Sequence, residues 1–152
     1  MKQLLHCAVV AILFVGCATA TRLSIPPEEA HYHFVVRHKQ PMLQAVNNVE
    51  LALAEAYADL PKVLKLKQAE TGTFLLKPLV TYRAGGSAGA VQNAQYTLKI
   101  VVQNGTVTLD FVLWPEVSEG TWAPESEIPK IRSTFKDVAV KVANELGGSV
   151  QP

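Results

Sequence analysis

Apolar and polar residues alternate almost without a break from Gln95 to Trp114, and Asn104-Gly105 sits at the midpoint. Period-two alternation on both sides of Asn-Gly predicts a hairpin of two strands, Gln95–Gln103 and Thr106–Trp114, joined by a two-residue turn. A type I′ turn, with φ > 0 at both central residues, is the expected form. The turn fixes the register. Tyr96 then faces Leu113, Leu98 faces Phe111, Ile100 faces Leu109 and Val102 faces Val107, all on one apolar side. The other side pairs Thr97 with Val112, Lys99 with Asp110, Val101 with Thr108 and Gln103 with Thr106. An antiparallel sheet buried on one face and wet on the other is the implied structure.

The remaining elements follow from the same two periods. Tyr32, Phe34 and Val36 alternate with His31, His33 and Arg37, which predicts a strand over His31–His38. From Pro41, the residues Met42, Val46, Val49, Leu53, Ala56 and Leu60 recur at three and four, an amphipathic helix that Pro61 is expected to end. A second hairpin is predicted over Val63–Ala69 and Thr73–Arg83. A three-residue loop, Glu70-Thr71-Gly72, would pair Leu66 with Leu76 and Gln68 with Phe74, and put Gly72 in the left-handed region. Pro78 points to an edge strand or a bulge. Ala84–Gln92 reads as a small-residue loop and Pro115–Glu127 as an acidic one, and a final helix runs from Pro129 to Leu146 with Gly147 as its stop. The order β-α-β-β-β-β-α implies an α+β two-layer sandwich, with an antiparallel sheet and two helices on one face.

The first residues add a location. Lys2 precedes an apolar run, Leu4 to Val15, that is too short to span ~30 Å of hydrocarbon and reads as a secretion leader. Phe14-Val15-Gly16-Cys17 resembles the bacterial lipobox. The resemblance implies a signal peptide over 1–16 and lipid attachment at Cys17; low periodicity with Ser24, Pro26 and Pro27 makes 17–29 a tether, and the folded domain is expected over 30–148. Ala18-Thr19-Ala20 offers an ordinary A-x-A cleavage site instead, which would release a soluble protein. The two cysteines are Cys7 and Cys17, so the domain is expected to hold no disulfide and no thiolate chemistry.

Charge and candidate chemistry narrow the reading. The chain carries 14 Lys and Arg against 13 Asp and Glu, too even a balance to hold nucleic acid by bulk charge. His31-x-His33, with His38 near, has a metal-like spacing, but no third ligand is indicated and no metal is expected. There is no Gly-x-Ser-x-Gly, no His-Glu-x-x-His and no Gly-Lys-Ser/Thr. Catalysis and a cofactor are therefore not expected, although Glu116, Glu119, Glu125 and Glu127 cluster in the acidic loop beside Trp114 and Trp122. By parity the wet face gathers His31, His33, Arg37, Lys65, Lys67, Lys77, Arg83 and Lys99 around Asp110, with Lys65 opposite Lys77. This surface suits an anionic envelope component or protein partner. A second possibility is a carrier for a small apolar ligand, held between sheet and helices against Phe34, Tyr96, Phe111 and Phe135.

The element order, the Gly72 turn and the strand Tyr96-Thr97-Leu98-Lys99-Ile100 running to Asn104-Gly105 resemble a bacterial family of unknown function with a TATA-binding-protein-like fold. The likeness covers about Tyr32–Leu146. It implies a secreted or lipid-anchored protein of a Gram-negative cell envelope, and no activity comes with it. TATA-binding protein meets DNA with the corresponding face, but a secreted domain is not expected to. Ala18 lacks the Asp that keeps some lipoproteins in the inner membrane, so the expected site is the outer membrane, facing the periplasm.

Overall fold

The computed structural model describes residues 30–83, 91–113 and 127–151. The central hairpin is as its pattern requires. Strands β5 (Val91–Gln103) and β6 (Thr106–Leu113) pair antiparallel in the expected register, from Tyr96↔Leu113 to Gln103↔Thr106. All eight residues on its apolar side are buried. Strand β1 (His31–Arg37) pairs with the far side of β6, and the short β7 (Ser149–Gln151) pairs with β1 at Val35–Arg37. On the other side of β5 lie β3 (Thr73–Leu76) and β4 (Leu79–Arg83), and β2 (Leu64–Gln68) borders β3. All these pairings are antiparallel.

Two helices cover the apolar face. Helix α1 (Met42–Ala56) presents Ala45, Val46, Val49, Ala52 and Leu53, and α3 (Ile128–Leu146) presents Ile131, Phe135, Val138, Val142 and Leu146. Between helices and sheet, the Phe135 ring lies 4.7 Å from both Tyr96 and Phe111 and 5.3 Å from Tyr32, and Phe34 meets Phe111 edge-on at 5.8 Å. Each such side chain removed from water contributes roughly 1.5–3 kcal/mol, so this ring cluster holds the layers together. At the helix ends, Asn48 Nδ2 donates to the Glu145 carbonyl (3.2 Å) and to Gln40 Oε1 (2.9 Å), which ties α1 to the open C-terminal carbonyls of α3. Gly147 stops α3 at φ +61, in the left-handed region that favours glycine.

The structure departs from the pattern in five places. Helix α1 ends at Ala56, and Pro61 does not stop it. Pro61 instead stands in the first turn of a four-residue helix α2 (Leu60–Val63), where its missing N–H costs no helical bond. The β2–β3 register is not the expected one. Gln68 faces Thr73 and Lys67 faces Phe74 across a four-residue loop, and a bulge between Leu64 and Leu66 shifts the rest. Residue β2 Lys65 falls in that bulge, so it does not oppose Lys77; its Nζ donates to the Lys62 carbonyl (2.7 Å). The Asn104-Gly105 turn is not type I′, because only Gly105 has positive φ (+84), the sign pattern of a type II turn. Beneath this turn His38 N–H donates to the Gly105 carbonyl and His38 Nε2 to the Gln103 carbonyl. Strand β5 starts at Val91, inside the expected loop, and the pattern held no hint of the three-residue β7.

Gly72 and Pro78 take the expected places. Gly72 has φ +64, and a Cβ there would meet the Val102 carbonyl at 2.5 Å. Pro78 separates β3 from β4 without changing their register on β5, because its carbonyl still accepts from Tyr96 N–H. β2 ends its pairing just before Pro78, so β4 runs on as an edge.

Candidate functional site

The open face of the sheet is defined by the residues that alternate with the core. Across β3, β5, β6, β1 and β7 the register aligns Thr73, Val101, Thr108, Val35 and Gln151 in one row. The next row is Leu66, Leu75, Lys99, Asp110 and His33. Val35, Thr97, Val101, Thr108 and Val112 are each partly exposed, so the middle of the face is a bed of β-branched side chains. Cations frame this bed. Lys99 stands near its centre and Lys77 in the join between β3 and β4, with Arg37 near one corner and Arg83 near the other.

Asp110 is the only acid on the described strands, and it is engaged. His33 Nδ1 donates to its Oδ1 at 2.6 Å, and His31 Nε2 lies 4.0 Å away. Lys99, directly opposite in the ladder, is left outside this bond. Arg37 Nε donates to Gln151 Oε1 (3.1 Å), which fastens β7 to β1.

One of the sequence candidates leaves the face. Lys67 faces Phe74, which is buried under the helices, so its side chain rises on the helix side. There Lys67 Nζ pairs with Glu50 of α1 at 2.6 Å. The one-residue change of register is the cause, because it turns β2 over between Lys67 and its neighbours. Lys65, in the bulge, is bound to Lys62 of α2. Of the six candidate cations, Arg37, Lys77, Arg83 and Lys99 thus remain on the basic surface, Lys67 leaves it, and Lys65 is taken up in the bulge.

The histidine spacing resolves into two separate structural roles. His31 and His33 share the open face, but His38 is buried at the far end of β1, its Nε2 on Gln103 and its Nδ1 accepting from Gln40 N–H (3.2 Å). Among the described residues, no group of three His, Cys, Asp or Glu side chains is placed to hold a metal ion. In the acidic loop, Glu116, Glu119 and Glu125 lie outside the described residues, as do Trp114, Trp122 and Cys17. Glu127 is described and is occupied. Its carboxylate accepts from the Lys130 ammonium and from Arg83 N–H (3.2 Å), and the Lys130 bond holds its pKa below the usual carboxylate value.

A second feature was not anticipated. β7 covers β1 only at Val35–Arg37, and beside the remainder a groove of about 490 Å³ opens against α3. Tyr32, Phe34 and Val150 give it an apolar wall, and Arg132 and Lys136 supply two cations. The Arg132 guanidinium lies over the Tyr32 ring, 5.4 Å from its centroid, a cation–π contact that holds it at the groove. The available signal was the i,i+4 spacing of Arg132 and Lys136, each one position from the core residues Ile131 and Phe135. The tyrosine pair at the end of α1 is structural. Tyr57 and Tyr96 share a hydrogen bond of 2.9 Å, and burial raises the pKa of both, that of Tyr96 to about 12.

No family model matches the chain, and no curated protein matches it in sequence. Its likeness is to solved structures. A TBP-like protein from Parabacteroides distasonis superposes with a TM-score of 0.52 at 11% identity, covering 75% of this chain and 92% of that one. A DUF4468 family protein from Bacteroides ovatus gives 0.53 at 9% identity, covering 78% of this chain and 86% of that one. The fold is therefore that of a TBP-like domain of unknown function.

Proposed function

We propose that this chain is a non-catalytic binding module of the cell envelope, anchored by a lipid on Cys17, which meets an anionic partner with the open face of its sheet. The carrying observation is the charge pattern of that face. Arg37, Lys77, Arg83 and Lys99 share it, and its one acid among the described strands, Asp110, is already bonded to His33. A broad surface of β-branched residues framed by cations suits a polyanion or an acidic protein surface, which needs contact area and spread charge. It does not suit a small metabolite, which needs a concave site.

The carrier alternative has less support. Phe34, Tyr96, Phe111 and Phe135, which would line its cavity, pack on one another instead. The anchor rests on the lipobox-like residues before Cys17. None of the described helices is long and apolar enough to cross a membrane. Residues 17–29, at up to ~3.5 Å each, would let the domain reach a few tens of ångström from the bilayer.

Two measurements test the reading. Metabolic labelling with a fatty-acid probe should mark the wild-type protein and not Cys17→Ser; equal labelling of both would remove the anchor. Retention on an immobilised anionic polysaccharide should fall with salt, and should be lost in a Lys77→Glu, Lys99→Glu variant that keeps its thermal midpoint. Unchanged retention would remove the role of the open face.

A further inference from the structure

A strand-edge site lies on the opposite flank of β1 from the hairpin, and it is independent of the open face. Backbone direction alternates along a strand. His38 N–H bonds Gly105 and the Ala30 carbonyl accepts from Leu113 N–H, so even-numbered residues of β1 point their polar groups toward β6. Odd-numbered residues point away. Val35 and Arg37 meet β7, whereas His31 and His33 have no strand partner on that side among the described residues. The consecutive residues His31, Tyr32, His33 and Phe34 all line the groove, although their side chains alternate between the two faces of the sheet. Only a cavity at the strand edge can collect both sets.

We propose that this edge takes up an extended acidic peptide of a partner protein as an added strand. The N–H and C=O groups of His31 and His33, without a strand partner on that side among the described residues, would form its ladder, as in other strand-addition complexes. Peptide residues opposite Tyr32 and Phe34 project to the helix side. There an aspartate or glutamate can lay its stem on Tyr32, Phe34 and Val150 and bring its carboxylate to Arg132 and Lys136. Acids at every second position are thus the recognised pattern. Charge selects this occupant over a second copy of the chain, because pairing two β1 edges would bring two sets of Arg132 and Lys136 together.

The test uses the full chain and a short dye-labelled peptide of alternating glutamate and valine. Anisotropy should report saturable binding, and amide exchange should slow at His31 and His33. The Arg132→Glu, Lys136→Glu variant should bind roughly tenfold or more weakly. An N-methylated peptide of the same charge should also lose binding, because it cannot complete the ladder. Equal binding of the N-methylated peptide would mean attraction by charge alone and would overturn the proposal. So would an unaffected double variant, slowed exchange only on the open face, or no binding. A dimer that dissociates in the double variant would assign the edge to a second copy. Lys77→Glu, Lys99→Glu should leave this peptide's binding unchanged, which separates failure here from failure of the open-face reading.

Discussion

The two hairpins of this sheet are close in sequence and opposite in design. In β5–β6 every second pair is buried on both sides, at 5% exposure or less, and the ladder runs without a bulge from Tyr96↔Leu113 to the turn. In β2–β3 only the β3 residues Phe74 and Leu76 are buried, while β2 is exposed along most of its length and a bulge interrupts its pairing. Burial is what sets a register, since a slip of one residue would expel every core side chain of the hairpin. β5–β6 would lose eight buried side chains by slipping, and β2 would lose almost none. The first hairpin is therefore an organising centre, and the second is an edge that adapts to its neighbours.

The largest expected effect falls on the first hairpin. Phe111 touches Phe34, Tyr96 and Phe135 and is fully buried. Phe111→Ala should cost roughly 3–5 kcal/mol in urea unfolding, a large fraction of the roughly 5–15 kcal/mol that holds a domain folded. A loss below about 1.5 kcal/mol would mean that the ring cluster is not the core contact described.

Next is the one position where the second hairpin is fixed. Gly72 has φ +64, its N–H bonds Ala69, and its carbonyl accepts from Val102 N–H. Gly72→Ala would carry about 1–3 kcal/mol of backbone strain. The new Cβ would also press on the Val102 carbonyl at 2.5 Å, a backbone atom that cannot turn aside. Equilibrium unfolding should give a loss near the top of that range. An unchanged midpoint would show the turn to be as adaptable as the strand before it.

These differences explain how much the sequence could tell. The core face of β5–β6, the stripe of α3 and the stop at Gly147 were legible, because dense burial leaves one solution for each. The place of Lys67 was not legible. Its face depends on the loop length, and Ala69 and Glu70 carry nothing that chooses three residues over four. The form of the Asn104-Gly105 turn was hidden for another reason, since His38, far off in sequence, holds the carbonyls beneath it. β7 was missed because three residues hold no period. Without β7 the half-covered edge of β1 could not be seen, and with it the groove by Arg132 and Lys136.

A smaller effect appears at alkaline pH. Burial raises the Tyr57 and Tyr96 hydroxyls above the ordinary value of 10.0, Tyr96 to about 12. A raised folded-state pKa means that the unfolded chain releases these protons first. Their contribution to stability is complete below pH 10 and declines as pH rises from there toward 12. A Tyr57→Phe, Tyr96→Phe variant should therefore lose stability less steeply above pH 10 than the wild type, when thermal midpoints are compared across that window. Parallel slopes would mean that the pair ionises as freely in the folded state as outside it.

The smallest effect tests the edge itself. Lys67 and Glu50 form the one ion pair that joins β2 to α1, and their side chains are 34% and 38% exposed. Pairs so accessible to water contribute about 0–1 kcal/mol, because solvent screens the attraction and two long side chains must be held still. Lys67→Gln should lower stability by less than about 1 kcal/mol, and moderate salt should shrink the difference further. The substitution also bears on register. If the ion pair chose the four-residue loop, Lys67→Gln would let β2 slide toward the pairing of Leu66 with Leu76, and amide exchange would change along the whole of β2. If the Gly72 turn and the Val102 bond choose it, exchange changes only near residue 67. The second outcome is expected, because the turn is held by backbone contacts that a surface charge pair of this size cannot outweigh.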